Sequence, residues 1–296
     1  MSMAVPIGKQ LRQAAPNLGP AEAKVARVLI ASGLVAGLET VAALSERAGV
    51  SGPTVLRLAG KLGYASFPDF QRRIRAELEE RRTSPLSLFD KAEAGSSAFA
   101  RNSEALSGIV AASLAKASET DIDRAAALIS DPRRAVYTTG GRFSRLIADM
   151  LFLHLDQLRP SVYRLQEDLQ SRQDQVLRLD KRSLLIVFDV RRYEARTVEI
   201  VDIAKRRGAA IIAFTDPWAS PIASHADVVL SADVQWTSVF DSIVPMTALC
   251  ELVIAAVVEK LGDRGKTRMA ELESLRTDYE WTSGGKQRRS NGAEDG

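Results

Sequence analysis

The chain has one cysteine, Cys250, and only two histidines, His154 and His225. A single thiol excludes an internal disulfide framework, and so few soft ligands exclude a Cys/His zinc cluster. No apolar run reaches membrane-spanning length. The most apolar stretch, Met246 to Leu261, carries Glu251 and Glu259 and falls short of the roughly 20 residues that a spanning helix needs. Residues 1–13 hold no apolar core of a secretory leader. These absences predict a soluble, cytoplasmic protein without membrane contact. Inside its apolar stretch, Cys250 reads as a small buried hydrophobe. The glycine fingerprint G-x-G-x-x-G is missing too, so no dinucleotide or other cofactor is expected.

What is present is an ordinary globular composition, 46% hydrophobic and 26% charged over 296 residues, enough for two domains. The net charge of +3 is unevenly placed. Residues 1–85 hold 12 Lys and Arg against 7 Asp and Glu; the remainder holds 28 against 30. A basic first third ahead of an acidic remainder suits an N-terminal polyanion contact.

That first third reads as helices only. Gly19-Pro20 announces the first, because proline is at home in a first helical turn. Thr40 can cap a short helix ending near Ala48, Gly49 suits a tight turn, and Ser51 can cap the next helix. Val41, Leu44, Val50, Val55, Leu58 and Leu62 supply the contacts between the two helices. This is a helix-turn-helix pattern, whose second helix enters the major groove of DNA. Thr54, Arg57 and Lys61 are spaced to share one face. Ser51 and Thr54 are expected nearest the bases or phosphates, Arg57 on a guanine edge or a phosphate, and Lys61 on a phosphate. An ordinary helical hairpin with a solvated face would carry the same residues. A further helix, Asp69 to Arg82, brings Arg72, Arg73 and Arg75. Thr83-Ser84-Pro85 ends it.

Helices are expected at Asn102–Lys116 and at Asp121–Ser130, the latter capped by Thr120. Beyond Pro132 the period changes. Short apolar runs at Ala135–Thr139, Val162–Leu165, Leu184–Phe188, Ala210–Phe214 and Val228–Leu230 alternate with helical patterns at Phe143–Leu158, Arg172–Leu179 and Glu194–Arg207. Such alternation predicts a doubly wound, five-stranded parallel α/β sheet, closed by an apolar helix over Asp241–Leu261. Ligands of such sheets bind past the carboxyl ends of the strands. The candidate loops are therefore Gly140-Gly141-Arg142 with Ser144, Asp189 through Arg191 and Arg192 to Glu194, Thr215-Asp216, and Ser242. Gly140-Gly141 suits an anion at a helix N-terminus, or simply a tight turn.

Taken together, Val41–Gly63 with Phe67-Pro68-Asp69-Phe70, Val136–Ser144 and Leu184–Asp227 resemble the MurR/RpiR family of transcription regulators. Ala204 to Thr215, and Ser220-Pro221-Ile222-Ala223 with Ala226-Asp227, look like the core of a sugar-isomerase (SIS) domain. The resemblance implies a homodimer or homotetramer that binds double-stranded operator DNA, an inverted repeat, and responds to a phosphorylated sugar. It also implies a Ser-x-Ser-Gly-x-Thr phosphate loop after the third strand. The equivalent stretch here is Asp189-Val190-Arg191-Arg192-Tyr193-Glu194, with neither those hydroxyls nor the glycine. The expected effector is thus a small anionic metabolite, a sugar phosphate or another carboxylate or phosphate ligand, held by Arg191, Arg192, Arg142 or Ser144. The alternative is that Arg191 and Arg192 form structural salt bridges.

The expected organisation is a DNA-binding domain over 1–83, a helical linker over 84–118, an effector-binding SIS domain over 119–265, and a C-terminal helix with a disordered tail over 266–296. SIS domains also occur in aldose–ketose isomerases. Neither histidine has a visible catalytic partner, so a non-enzymatic regulator is expected over a sugar-phosphate isomerase.

Overall fold

The computed structural model describes residues 5–82, 98–191 and 193–278. The N-terminal head is built from five helices: α1 (Ile7–Ala14), α2 (Pro20–Ala31), α3 (Val41–Ala48), α4 (Gly52–Lys61) and α5 (Phe67–Arg82). Ile7, Leu11, Leu29, Leu44, Leu58, Phe70 and Ile74 are buried together at its centre. Thr40 caps α3 as expected, its hydroxyl accepting from the Ala43 amide at 3.2 Å. Gly49 turns the chain at φ +61°, the left-handed region that glycine enters without strain. Ser51 precedes α4, but its hydroxyl meets the Thr54 hydroxyl at 3.1 Å and caps no amide. Helix α1 was not foreseen. Its apolar stripe is only Ile7 and Leu11, too short to register as a periodic signal.

Two helices, α6 (Ala98–Ala115) and α7 (Glu119–Ser130), lead into the second domain. Ser118, not Thr120, caps α7 by accepting from the Asp121 amide at 3.2 Å, which leaves Thr120 within the first turn. The sheet follows as β1 (Ala135–Gly140), β2 (Val162–Arg164), β3 (Ser183–Asp189), β4 (Ala210–Thr215) and β5 (Val228–Ser231). Its order is β2-β1-β3-β4-β5, every pair parallel. Helices α8 (Arg145–Leu158), α9 (Leu169–Leu177) and α10 (Ala195–Arg206) make the crossovers, and α11 (Val244–Leu261) and α12 (Asp263–Asp278) complete the chain.

Residues alternate across the strands into two cores. Ile186, Phe188, Ile212 and Phe214 face α7, α8 and α11, with the two phenyl rings stacked at 4.3 Å. Leu185, Val187, Ile211 and Ala213 face α10 and the segment around Leu179. Burial on both faces explains why these strands read as unbroken apolar runs. Cys250 lies on the buried face of α11, where burial pushes its thiol up to about 12. That helix opens at Val244 rather than Asp241, because the Ser242 hydroxyl accepts from the Val244 amide at 3.2 Å and the Ser242 amide bonds back to Val234. The expected tail beyond residue 284 lies outside the described residues.

Candidate functional site

The first candidate surface is α4. Its exposed side carries Ser51, Pro53, Leu56, Arg57, Gly60 and Lys61. Arg57 points outward and donates to the Thr54 hydroxyl at 3.0 Å. Thr54 itself is buried, so it does not share the exposed face that its spacing predicted; it steers Arg57 instead. Lys61 is exposed but engaged, donating to the Glu22 carboxylate at 2.6 Å and to the Asn17 carbonyl at 3.3 Å. The Lys61 bond, together with the Gly19 amide, which donates to the same carboxylate at 2.8 Å, holds the Glu22 carboxyl below its ordinary range. Leu56, 49% exposed, was not singled out from the sequence. An apolar side chain on an exposed recognition-helix face is the type that meets a thymine methyl.

The second candidate is a pocket of about 210 Å³ at the carboxyl ends of β1 and β3. The strand order reverses between these two strands, which opens the crevice that ligands of such sheets use. Gly140 and Gly141 form its floor. A Cβ on Gly140 would stand 2.8 Å from the Arg145 amide nitrogen, so only glycine lets α8 start this close to the strand. Ser144 is buried and locks the turn: its hydroxyl donates to the Phe188 carbonyl at 2.8 Å and accepts from the Gly141 amide at 3.0 Å.

Four arginines line the pocket, Arg142, Arg145, Arg172 and Arg196, against two carboxylates, Glu167 and Glu194. Glu167 pairs with Arg145. Burial lowers the Arg172 guanidinium, and Arg196 pushes it the same way. The Arg142 amide donates to Glu194 Oε1 at 2.8 Å, so a carboxylate of the chain itself sits at the anion position of the turn. Of the predicted ligand residues, Gly140, Gly141 and Arg142 line this pocket, and the buried Ser144 braces its turn from within. Arg145, Arg172, Arg196 and Glu167 were missed. The available signal was their position in or beside the first turn of helices that follow strands. A larger hollow of about 610 Å³ lies at the amino end of β4, on the opposite edge of the sheet. Its Lys205 is paired with Asp227 at 3.1 Å, and Arg124 donates to the Asp227 carbonyl.

The helix-turn-helix domain of the rpiR family matches residues 6–81, and the SIS domain matches residues 128–256. The sugar isomerase domain of an RpiR transcription factor from Sphaerobacter thermophilus superposes with a TM-score of 0.53 at 27% identity, over 57% of this chain and 93% of that one. The chain thus joins an rpiR-family helix-turn-helix domain to an SIS domain, in that order. The Vibrio vulnificus NanR protein, complexed with ManNAc-6P, superposes with a TM-score of 0.51 over 92% of this chain and 98% of its own; at 14% identity that likeness shows the fold alone. No curated protein matches the chain.

Of the remaining predicted ligand residues, the described ones, Asp189, Arg191, Thr215, Asp216 and Ser242, do not line the pocket. They brace the loops of the SIS domain on which the head rests, and Asp216 acts on Arg12 of the head through its charge. Asp216 is fully buried and accepts from the Arg191 amide at 2.7 Å, the Tyr193 hydroxyl at 2.7 Å and the Trp218 amide at 3.0 Å. Arg191 is buried, donates to Asp241 at 2.7 Å and lies over the Trp218 ring at 5.2 Å. This is the salt-bridge role held open for it, whereas Arg192 lies outside the described residues. Thr215 accepts from the Ser220 amide at 2.9 Å, and Ser242 ends the loop before α11. Against this cluster stands α1. A Cβ on Gly8 would come within 2.5 Å of the Trp218 carbonyl oxygen, a close backbone approach. Burial lowers the Arg12 guanidinium, opposed first by the charge of Asp216 and then by Tyr193 and Glu77.

Asp189 lies beneath the same loop. Its carboxyl accepts from the Ser220 hydroxyl, and burial pushes it up from 3.8 to about 7. The folded protein therefore keeps a proton that the unfolded chain has lost above pH 3.8. This favourable contribution is complete below that value and is lost as the pH climbs to about 7. Asp189→Asn is expected to remove it, flattening a fall in unfolding free energy on the order of 2 kcal/mol between about pH 5 and about pH 8. Urea denaturation at the two pH values measures this, and an undiminished fall in the variant would count against it. The two histidines lie elsewhere: His154 Nδ1 is 2.8 Å from the Met150 carbonyl, and His225 Nε2 is 3.1 Å from Asp202.

Proposed function

We propose that this chain is a DNA-binding transcription regulator that reads operator DNA through α4 and senses a small phosphorylated or carboxylated metabolite at the β1–β3 pocket. One observation carries the sensing half: four arginines face only two carboxylates around the Gly140-Gly141 turn. Guanidinium groups and helix N-terminal amides together suit a phosphate or carboxylate. ManNAc-6P, the molecule bound to NanR, belongs to the same chemical class.

The pocket connects to the head through residues already described. An incoming anion competes with Glu194 for the Arg142 amide. Glu194 follows Tyr193, whose hydroxyl donates to Asp216, and Asp216 stands close to Arg12 of α1. Displacing Glu194 thereby biases how the head sits on the SIS domain. In a dimer, the two α4 helices would read half-sites about 34 Å apart, or a multiple of that. The effector acts by preferring one placement of the heads over another. No catalytic step is needed: Glu167 is held by Arg145, and Glu194 by an amide.

The test pairs two titrations. Operator fragments come from selection of genomic DNA on the full chain. Their affinity is then measured by fluorescence anisotropy with and without each member of a panel of hexose 6-phosphates and small carboxylates. An effector is expected to shift the operator Kd about 5- to 150-fold. Glu194→Gln is expected to tighten binding of that same anion, because the competing charge is gone. Equal operator affinity with and without an anion that calorimetry shows to bind would sink the coupling. Turnover of the bound sugar phosphate would favour the isomerase reading.

A further inference from the structure

A second cleft, of about 650 Å³, lies between the head and the SIS domain. It too opens on the carboxyl edge of the sheet, past Ser231 at the end of β5 and Trp218 in the loop after β4. One wall is α1 with Lys9; the other is α6 with Gly108 and Ile109. Trp236 completes the lining. Val5, Gly108 and Lys116 at its rim are exposed, so the cleft opens to solvent, and its volume is of the size that takes a small organic molecule.

Its chemistry is unlike that of the arginine pocket. Trp236 and the small and aliphatic residues of α6, Ala105, Ile109 and Ala112, supply much of the apolar lining, whereas Trp218 is almost fully buried behind it. The charged groups are Lys9, Lys116 and Asp233, and Lys116 holds Asp233 at 2.8 Å. Lys9 has no ion-pair partner among the described residues. A largely apolar cleft with one ammonium unpaired among the described residues complements a molecule with a flat apolar body and a single negative charge. Gly108 lines the cleft and has room for a side chain, since a Cβ built there meets no atom within 4 Å.

We propose that this interdomain cleft is a second small-molecule site, which takes an aromatic monocarboxylic acid with its ring against Trp236 and α6 and its carboxylate on Lys9. Occupancy there bears on the head directly, because Trp218 also carries Arg191 on its ring and faces Gly8 of α1. The site is independent of the anion pocket and of DNA binding, and its test needs neither.

Calorimetric titration of the full chain with 2-naphthoate, in saturating inorganic phosphate, is expected to show saturable binding at one site per chain. Gly108→Leu should fill the chamber and weaken binding at least about tenfold. Leucine is the better helix former at this position, so the variant should fold, which its melting curve verifies. Lys9→Met should weaken 2-naphthoate about fivefold and leave the neutral 2-naphthamide unchanged. Absence of saturable binding overturns the proposal, as does binding that Gly108→Leu leaves intact. An equal effect of Lys9→Met on acid and amide overturns the carboxylate assignment. If Gly108→Leu instead alters the sedimentation of the ligand-free protein, the cleft is covered by a second copy of the chain and the small-molecule reading falls.

Discussion

Asp216→Ala is expected to lower the unfolding free energy by about 3–5 kcal/mol. The residue is fully buried and holds three donors, the Arg191 and Trp218 amides and the Tyr193 hydroxyl. Alanine leaves all three facing a void, and each unmet buried donor costs on the order of 1–3 kcal/mol before any relaxation. It also removes the first charge that opposes the burial of Arg12. Tyr193→Phe takes away one donor together with its share of the acceptor, so its cost should stay near 1 kcal/mol. Urea denaturation of the two variants side by side separates these cases. A loss below about 1 kcal/mol for Asp216→Ala would show that the loop finds other acceptors, and that Asp216 does not hold the head against the SIS domain.

Arg57→Ala is expected to cost about 1–3 kcal/mol of specific operator affinity, roughly 5- to 150-fold in Kd. Arg57 is the exposed cation of α4 whose hydrogen bond, to Thr54, aims it without neutralising it. Lys61 offers the contrast. Its charge is shared with Glu22, so Lys61→Ala should weaken operator and competitor DNA alike, and by less. Anisotropy titrations at two salt concentrations distinguish the two, since loss of a phosphate contact lowers the salt dependence while loss of a base contact lowers discrimination. If Arg57→Ala binds operator and competitor with wild-type preference, α4 does not read bases through this residue.

Much of the architecture was legible in the sequence because its signals are local. β3 and β4 announce themselves as continuous apolar runs, since both faces of a parallel sheet are covered. Thr40 and Gly49 mark the ends of α3 through chemistry confined to a few neighbouring atoms. Side-chain direction was harder to read. Thr54 turns inward and Leu56 outward because the tilt of α4 is set by its packing on α2 and α3, which spacing along one helix does not encode. The arginine pocket was half visible. Gly140 and Gly141 betrayed the turn, whereas Arg172 and Arg196 reach it from separate helices, brought there by the crossover geometry. Asp216 and Arg191 follow strands, as ligand residues do, but the head docks on that end of the sheet and takes them for its own joint.

The burial of Cys250 has an experimental consequence. With its thiol pushed up to about 12 and its side chain closed off from solvent, the only native sulfhydryl is a poor nucleophile at neutral pH. A cysteine introduced on the surface would then be the single site that maleimides or nitroxide reagents modify. Gly60 on α4 suits this purpose, since a side chain there meets no other atom within 4 Å. A spin label on Gly60→Cys would yield, in any assembly of two chains, a direct ruler for the spacing of the reading heads, without first deleting a native residue.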